Sequence, residues 1–198
     1  MSLSRGIVAA VVLATGLHAD EPEPQPLPSF KACMNEEIAR YERALRRVRE
    51  MPGVQDFEIG DTGGTEYCGS VGIVRCDRRA DRLPCQHGFA REQDAMKARI
   101  VASLPKPETV AGKAGQWSDT LYPLALALAT GTSAGPDCGG DTEVMAAWCD
   151  AREANRRLGN AVFAWQLARF LDATPSGIDA GWASRPPPTR PRARPDKD

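Results

Sequence analysis

Six cysteines, Cys33, Cys68, Cys76, Cys85, Cys138 and Cys149, constrain this chain of 198 residues more than any other feature. An even set of cysteines reads as a disulfide framework in an oxidising compartment, and as metal or catalytic thiols in a reducing one. The amino-terminal residues decide between these readings. Met1 to Ala19 has the form of a secretory signal peptide. Arg5 supplies the positive charge of its short leading region, and no acidic residue precedes Asp20. Ile7 to Leu17 is an apolar run interrupted only by Thr15 and Gly16, too short to span a bilayer. Cleavage is expected after Ala19. Because Leu17 fits poorly three positions before that bond, a cut after Gly16 is the alternative. No cysteine occurs before Cys33, so a lipid-anchored variant of the signal is excluded. The mature chain is expected in a periplasm or outside the cell, with no transmembrane segment.

Three disulfides follow as the expectation, each worth about 2–4 kcal/mol, and six cysteines allow fifteen connectivities. Local pairing gives Cys68–Cys76 and Cys138–Cys149, which leaves Cys33–Cys85. The second pair is awkward, because Cys138 would have to reach about 12 Å back along a helix that starts near Asp141. Cys33–Cys149 or Cys85–Cys138 would serve equally.

Residues 20–29, DEPEPQPLPS, alternate proline with acidic or polar residues and read as an extended acidic spacer. Residues 174–198 read as a Pro/Arg-rich disordered tail, which from Pro186 onward has no apolar residue larger than Ala193 apart from its prolines. The helical domain is therefore expected over 30–173, long enough for a real core.

Four segments of that domain carry helical periodicity. Ala32 to Met51 repeats Ile38, Tyr41, Leu45 and Val48, and Pro52-Gly53 stops it. Within it Glu36–Arg40, Glu42–Arg46 and Arg46–Glu50 have the spacing of helical ion pairs. Gly88 to Leu104 places Phe89, Met96, Ile100 and Leu104 on one face, ahead of Pro105. Asp119 to Thr130 is apolar at Leu121, Tyr122, Leu124, Leu126 and Leu128 and reads as a buried core helix. Its Pro123 fits only in the first turn, with Ser118 or Asp119 as the cap. Asp141 to Leu171 is the longest, with Val144, Trp148, Ala151, Leu158, Val162 and Trp165 in register and Gly159 as a point of bending or division. Residues 54–76 differ in kind, since apolar residues flank a Gly-rich stretch there, and a small β-hairpin or ordered loop is expected. The fold class is mostly α: a four-helix, disulfide-stapled domain with that hairpin or loop after the first helix.

Chemistry is sparse. The 25 Lys plus Arg against 26 Asp plus Glu leave no basic excess for nucleic acid. After signal removal His87 is the sole histidine, and it reads as a surface or capping residue beside Cys85. No Gly-x-Ser-x-Gly elbow accompanies it, and no Cys-x-x-Cys or Cys-x-x-Cys-His occurs, so dithiol exchange and covalent haem find no motif. A zinc set of Cys68, Cys76, Cys85 and His87 lacks close ligand pairs. Asp56, Glu58, Asp61 and Glu66 around Gly60, Gly63 and Gly64 fail the calcium-loop template and read as a solvated turn. The Gly135 to Asp141 turn lacks the lysine of a phosphate loop. Arg40, Arg43 and Arg47 form a stripe interleaved with glutamates, read as a solvated face.

No catalytic, cofactor-binding or metal residue is therefore assigned, and no cofactor is expected. Of four tryptophans, Trp148 and Trp165 fit a core face, while Trp117 and Trp182 lie at element ends and are candidate interaction residues. The reading is an exported, non-enzymatic accessory or interaction protein, an inhibitor or envelope-complex subunit with an envelope protein as partner. The alternatives are a small periplasmic hydrolase using carboxylates or His87, and a carrier of a small apolar ligand.

Overall fold

The computed structural model describes residues 26–51, 53, 57–132, 140 and 142–188. The chain forms α1 (Phe30–Glu50), α2 (Gly63–Asp77), α3 (Arg82–Ala102), α4 (Tyr122–Thr130) and α5 (Glu143–Phe170). A 3₁₀ turn at Pro107–Thr109 and a π turn at Trp117–Leu121 lie between α3 and α4. Among the described residues there are thus five helices and no strand, and no helix is long and apolar enough to cross a membrane. Residues 1–19, expected as a signal peptide, and residues 20–25 of the expected spacer lie outside the described residues.

α5 is the axis of the fold. It packs against α2, α3 and α4, and fifteen of its 28 residues are buried. Thr142 caps it by accepting from the Met145 amide at 3.4 Å. It runs unbroken through Gly159, so the division expected there does not occur. Tyr41 of α1 donates to the Gln166 carbonyl at 2.7 Å, and Arg157 grips Asp94 of α3 at 3.0–3.1 Å. Arg169 holds Glu42 of α1 in a two-pronged pair, both contacts 2.8 Å. The local pairs expected on α1 give way to these: Glu42 turns to α5, and Arg40 meets Glu37 at 2.6 Å rather than Glu36.

The expected hairpin is a helix. Residues 63–77 form α2, and its glycines are contact points between helices rather than turn residues. A Cβ on Gly64 would overlap the Glu37 carboxylate of α1, one on Gly69 the Asn155 amide of α5, and one on Gly72 the Phe89 ring of α3. Each glycine lets a different helix approach. The cysteines follow the same pattern. Cys68 bonds Cys33 of α1, and Cys76 bonds Cys85 of α3. Contacts 64 with 37 and 68 with 33 make α1 and α2 antiparallel; 72 with 89 and 76 with 85 do the same for α2 and α3.

The expected Cys68–Cys76 and Cys33–Cys85 pairs are therefore replaced. Eight residues apart on one helix, Cys68 and Cys76 stand about 12 Å apart along its axis, beyond any disulfide. Cys149 is also disulfide-bonded, while Cys138 lies outside the described residues.

These glycines give a contrast of sign. Gly→Ala inside a helix gains about 1 kcal/mol of propensity. At Gly69 and Gly72 the intruding methyl meets a packed side chain, so Ala there is expected to lower stability by about 1–3 kcal/mol. At Gly88 of α3 the nearest atom to a new Cβ is 3.9 Å away, so Ala should raise stability by up to about 1 kcal/mol. Urea unfolding of the three variants checks the signs, and a loss at Gly88 would contradict the open space.

The carboxyl-terminal boundary also moves. The domain does not end at 173: Thr174 donates to the Ser103 carbonyl at 2.8 Å, and Ser184 N–H to Asn35 Oδ1 at 2.9 Å. Trp182 is 3% exposed and stands edge-on to Trp165, ring centroids 5.0 Å apart. Residues 189–198 lie outside the described residues.

Candidate functional site

The surface that departs most from ordinary helical patterning is the outer side of α4. From Thr120 to Pro136 the sequence contains no charged residue. A helix apolar all round is ordinarily enclosed, and α4 was expected as a buried core helix. It is enclosed on one side only. Tyr122, Ala125 and Ala129, spaced by three and four, face the core, and the Tyr122 hydroxyl donates to the Pro105 carbonyl at 2.6 Å. Burial raises the pKa of that phenol. The small alanines bring α4 close to α5; Leu126 is half-buried against the core, while Leu124 and Leu128 project outward. Leu124 is 59% and Leu128 53% exposed.

Upstream, the π turn carries the same face onward. Trp117, 40% exposed, precedes half-buried Leu121 by four residues, so positions 117, 121, 124 and 128 form one stripe about 16 Å long. The Trp117 ring rests 5.5 Å from Phe170 of α5, which fixes its orientation. The loop before it is tied by Asp119, whose Oδ1 accepts from the Gly112 amide at 2.7 Å and from the Ser118 hydroxyl at 2.8 Å. The Gly112 amide above all, then Ser118, lowers the Asp119 pKa. Asp119 and Ser118 thus fold this loop rather than cap an α-helical start, while Pro123 does sit in the first turn of α4.

Of the recesses elsewhere, two border α1. One, of about 160 Å3, sits between α1, α5 and the 57–61 loop. Glu37, Arg40 and Asp61 line it, with Arg40 bridging the two carboxylates at 2.6 and 3.5 Å. Gln166 closes its base, accepting from the Gly60 amide at 3.0 Å and donating to the Asp61 carbonyl at 2.9 Å. The other is a groove of about 540 Å3 between the extended residues 26–29 and the α2–α3 pair.

The remaining sequence candidates are dispersed. His87 is half-buried in the second turn of α3. Cys68, Cys76 and Cys85 are consumed in disulfides and offer no thiolate to zinc. Of the acidic turn, Asp56 lies outside the described residues, Glu58 and Glu66 are exposed, and Asp61 accepts from the Gly63 amide. Among the described residues no group of three or more His, Cys, Asp or Glu is placed to hold a metal ion. Arg40 of the basic stripe is bound to carboxylates, as above. The two tryptophans named as interaction candidates part company. Trp117 belongs to the exposed stripe; Trp182 is a correction, because its ring is part of the core.

Leu124 and Leu128 were missed as surface residues. Their one sequence signal is the three-and-four spacing of Tyr122, Ala125 and Ala129, which gives α4 one side to bury and leaves Leu124 and Leu128 off it. Comparison with protein-family models, with curated proteins and with solved structures finds no match to this chain.

Proposed function

We propose that this chain is an exported, non-enzymatic interaction protein of the cell envelope, an inhibitor or a subunit of a complex, whose protein partner covers the Trp117–Leu121–Leu124–Leu128 stripe. The observation that carries this reading is the pair of leucines, 59% and 53% exposed, on a helix without a charged residue. Contiguous exposed apolar surface marks contact sites, since burying a leucine contributes about 1.5–3 kcal/mol. Trp117 adds the rigid aromatic anchor typical of binding hot spots. Export is supported by the Cys33–Cys68 and Cys76–Cys85 disulfides, since such bonds persist in oxidising compartments, together with the signal-like first nineteen residues.

The test is native mass spectrometry on protein released gently from its own envelope, comparing the native chain with Leu124→Ser/Leu128→Ser. The native chain is expected to carry a stoichiometric protein, and the double variant to lose it while keeping its circular dichroism. Its stability should fall by no more than about 1 kcal/mol, as expected for two exposed helix positions. A partner retained by the variant removes the stripe from the interface. A bare native monomer removes the interaction reading itself.

A further inference from the structure

The groove between residues 26–29 and the α2–α3 pair contains a vacancy that the packing of the protein does not explain. Its outer wall is extended chain, because Ser29 caps α1 and the Arg75 guanidinium holds the Leu27 carbonyl at 3.1 Å. Its far side is the antiparallel α2–α3 pair clipped by Cys76–Cys85. Two glycines line it, and they differ. Gly72 is required, since a Cβ there would strike the Phe89 ring, which itself stands edge-on to Phe30 at 5.1 Å. Gly88 is not required: a Cβ would meet nothing nearer than the Arg91 guanidinium at 3.9 Å. A glycine in the second turn of a helix forgoes helix propensity, and what position 88 gains in return is an open groove.

The lining defines what would fill it. Half-buried Leu27 and Cys85, with the edges of the otherwise buried Phe30 and Phe89, supply apolar surface, and at about 540 Å3 the volume is that of a small-molecule site. Arg75, Arg78 and Arg79 also line it, against the single carboxylate of Glu92. Arg79 is committed to Asp81 at 2.7 Å, and Arg75 to Leu27. The exposed Arg78 guanidinium has no hydrogen-bond or ion-pair partner among the described residues, and its planar fork is suited to a carboxylate or phosphate.

We infer that this groove binds an amphipathic anion: one apolar chain laid along Leu27, Phe30 and Phe89 past Gly88, with a single carboxylate or phosphate head at Arg78. A free fatty acid and a lysophospholipid share that chemistry. The site is separate from the α4 stripe and stands or falls independently of it.

Calorimetry on the mature chain tests it, with dodecanoate, lauroyl-lysophosphatidylglycerol and neutral dodecanol as probes, all below their aggregation concentrations. Saturable one-to-one binding of at least one anion is expected, and its strength relative to the other identifies the source. Gly88→Leu projects a branched side chain into the groove from a position where a Cβ meets no backbone, so it should block the chain's path past position 88 and abolish binding while melting no lower than the native protein. Arg78→Ala should weaken the anion about tenfold or more, in line with one charged hydrogen bond, and leave dodecanol unchanged. The inference is overturned if Gly88→Leu binds as tightly as the native chain, if Arg78→Ala weakens dodecanol and anion equally, or if neither anion binds. Should Gly88→Leu lose stability, Gly88→Val gives the same reading with a smaller plug.

Discussion

A chain with Cys33 and Cys68 both replaced by Ala is expected to lose about 4 kcal/mol of stability, the entropy of opening a closed loop 35 residues long. The same change at Cys76 and Cys85 opens a loop of 9 and should cost about 2.5 kcal/mol. Against a net stability of about 5–15 kcal/mol for a domain of this class, the first loss brings the fold close to its threshold. Both sulfurs of that pair are enclosed, Cys33 at 7% and Cys68 at 0% exposure, so lost packing adds to lost constraint. Urea unfolding would read this as a lower midpoint with a steeper slope, because the freed unfolded chain exposes more surface. The ordering is the informative part. If removing Cys76–Cys85 proves the more damaging, the loop-entropy account fails for this protein. Non-reducing peptide mapping that joins Cys68 to Cys76 would overturn the α2 helix itself.

The bridges also show how far the residues could be read in advance. α1, α3 and α5 were legible because their apolar residues recur at three and four and their ends carry local signals. Even so, α3 begins at Arg82 rather than Gly88, since Pro84 sits in its first turn, where no amide is needed. Gly88 suggested a start and is a mid-helix vacancy. α2 was not legible. Glycine serves both a turn and a close approach of two backbones, and the local sequence is the same in either case. What decides is the partner: Glu37, Asn155 and Phe89 lie 27, 86 and 17 residues away from Gly64, Gly69 and Gly72. Closeness in sequence favours pairing Cys68 with Cys76, but on one helix the two cannot meet, and Cys33 and Cys85 each take one of them instead.

The candidate surface was half legible for the same reason. Trp117 drew attention as an aromatic residue at an element end, and it is exposed. Leu124 and Leu128 looked like core because apolar content does not say which side of a helix its neighbours cover. Position in the fold, set by Ala125 and Ala129 against the rest of the core, makes them surface. Trp182 has the reverse history: it follows Gly181 close to a proline-rich end, yet its packing partner Trp165 lies on the central helix.

That partnership sets the last expectation. Trp165→Ala should cost about 3–5 kcal/mol, the usual loss for a fully enclosed large aromatic. Trp165 is 0% exposed, touches Tyr41 at 5.2 Å and Trp182 at 5.0 Å, and donates its indole N–H to the Pro175 carbonyl at 3.3 Å. It therefore joins α1, α5 and the carboxyl-terminal segment in one contact. Truncation leaves a void that the segment cannot fill, because its path is fixed at both ends. Arg169 holds the Thr174 carbonyl at 3.0 Å, and Gly177 lies so close under Trp182 that a Cβ would sit 2.8 Å from the ring. Trp182→Ala then decides where the domain ends. If residues 174–183 were a solvated tail, that change would alter stability by less than about 0.5 kcal/mol. As part of the core it should cost nearly as much as Trp165→Ala. The double variant should lose less than the sum, because the two rings share one contact. Fully additive losses would mean that the two rings stabilise the fold independently of each other.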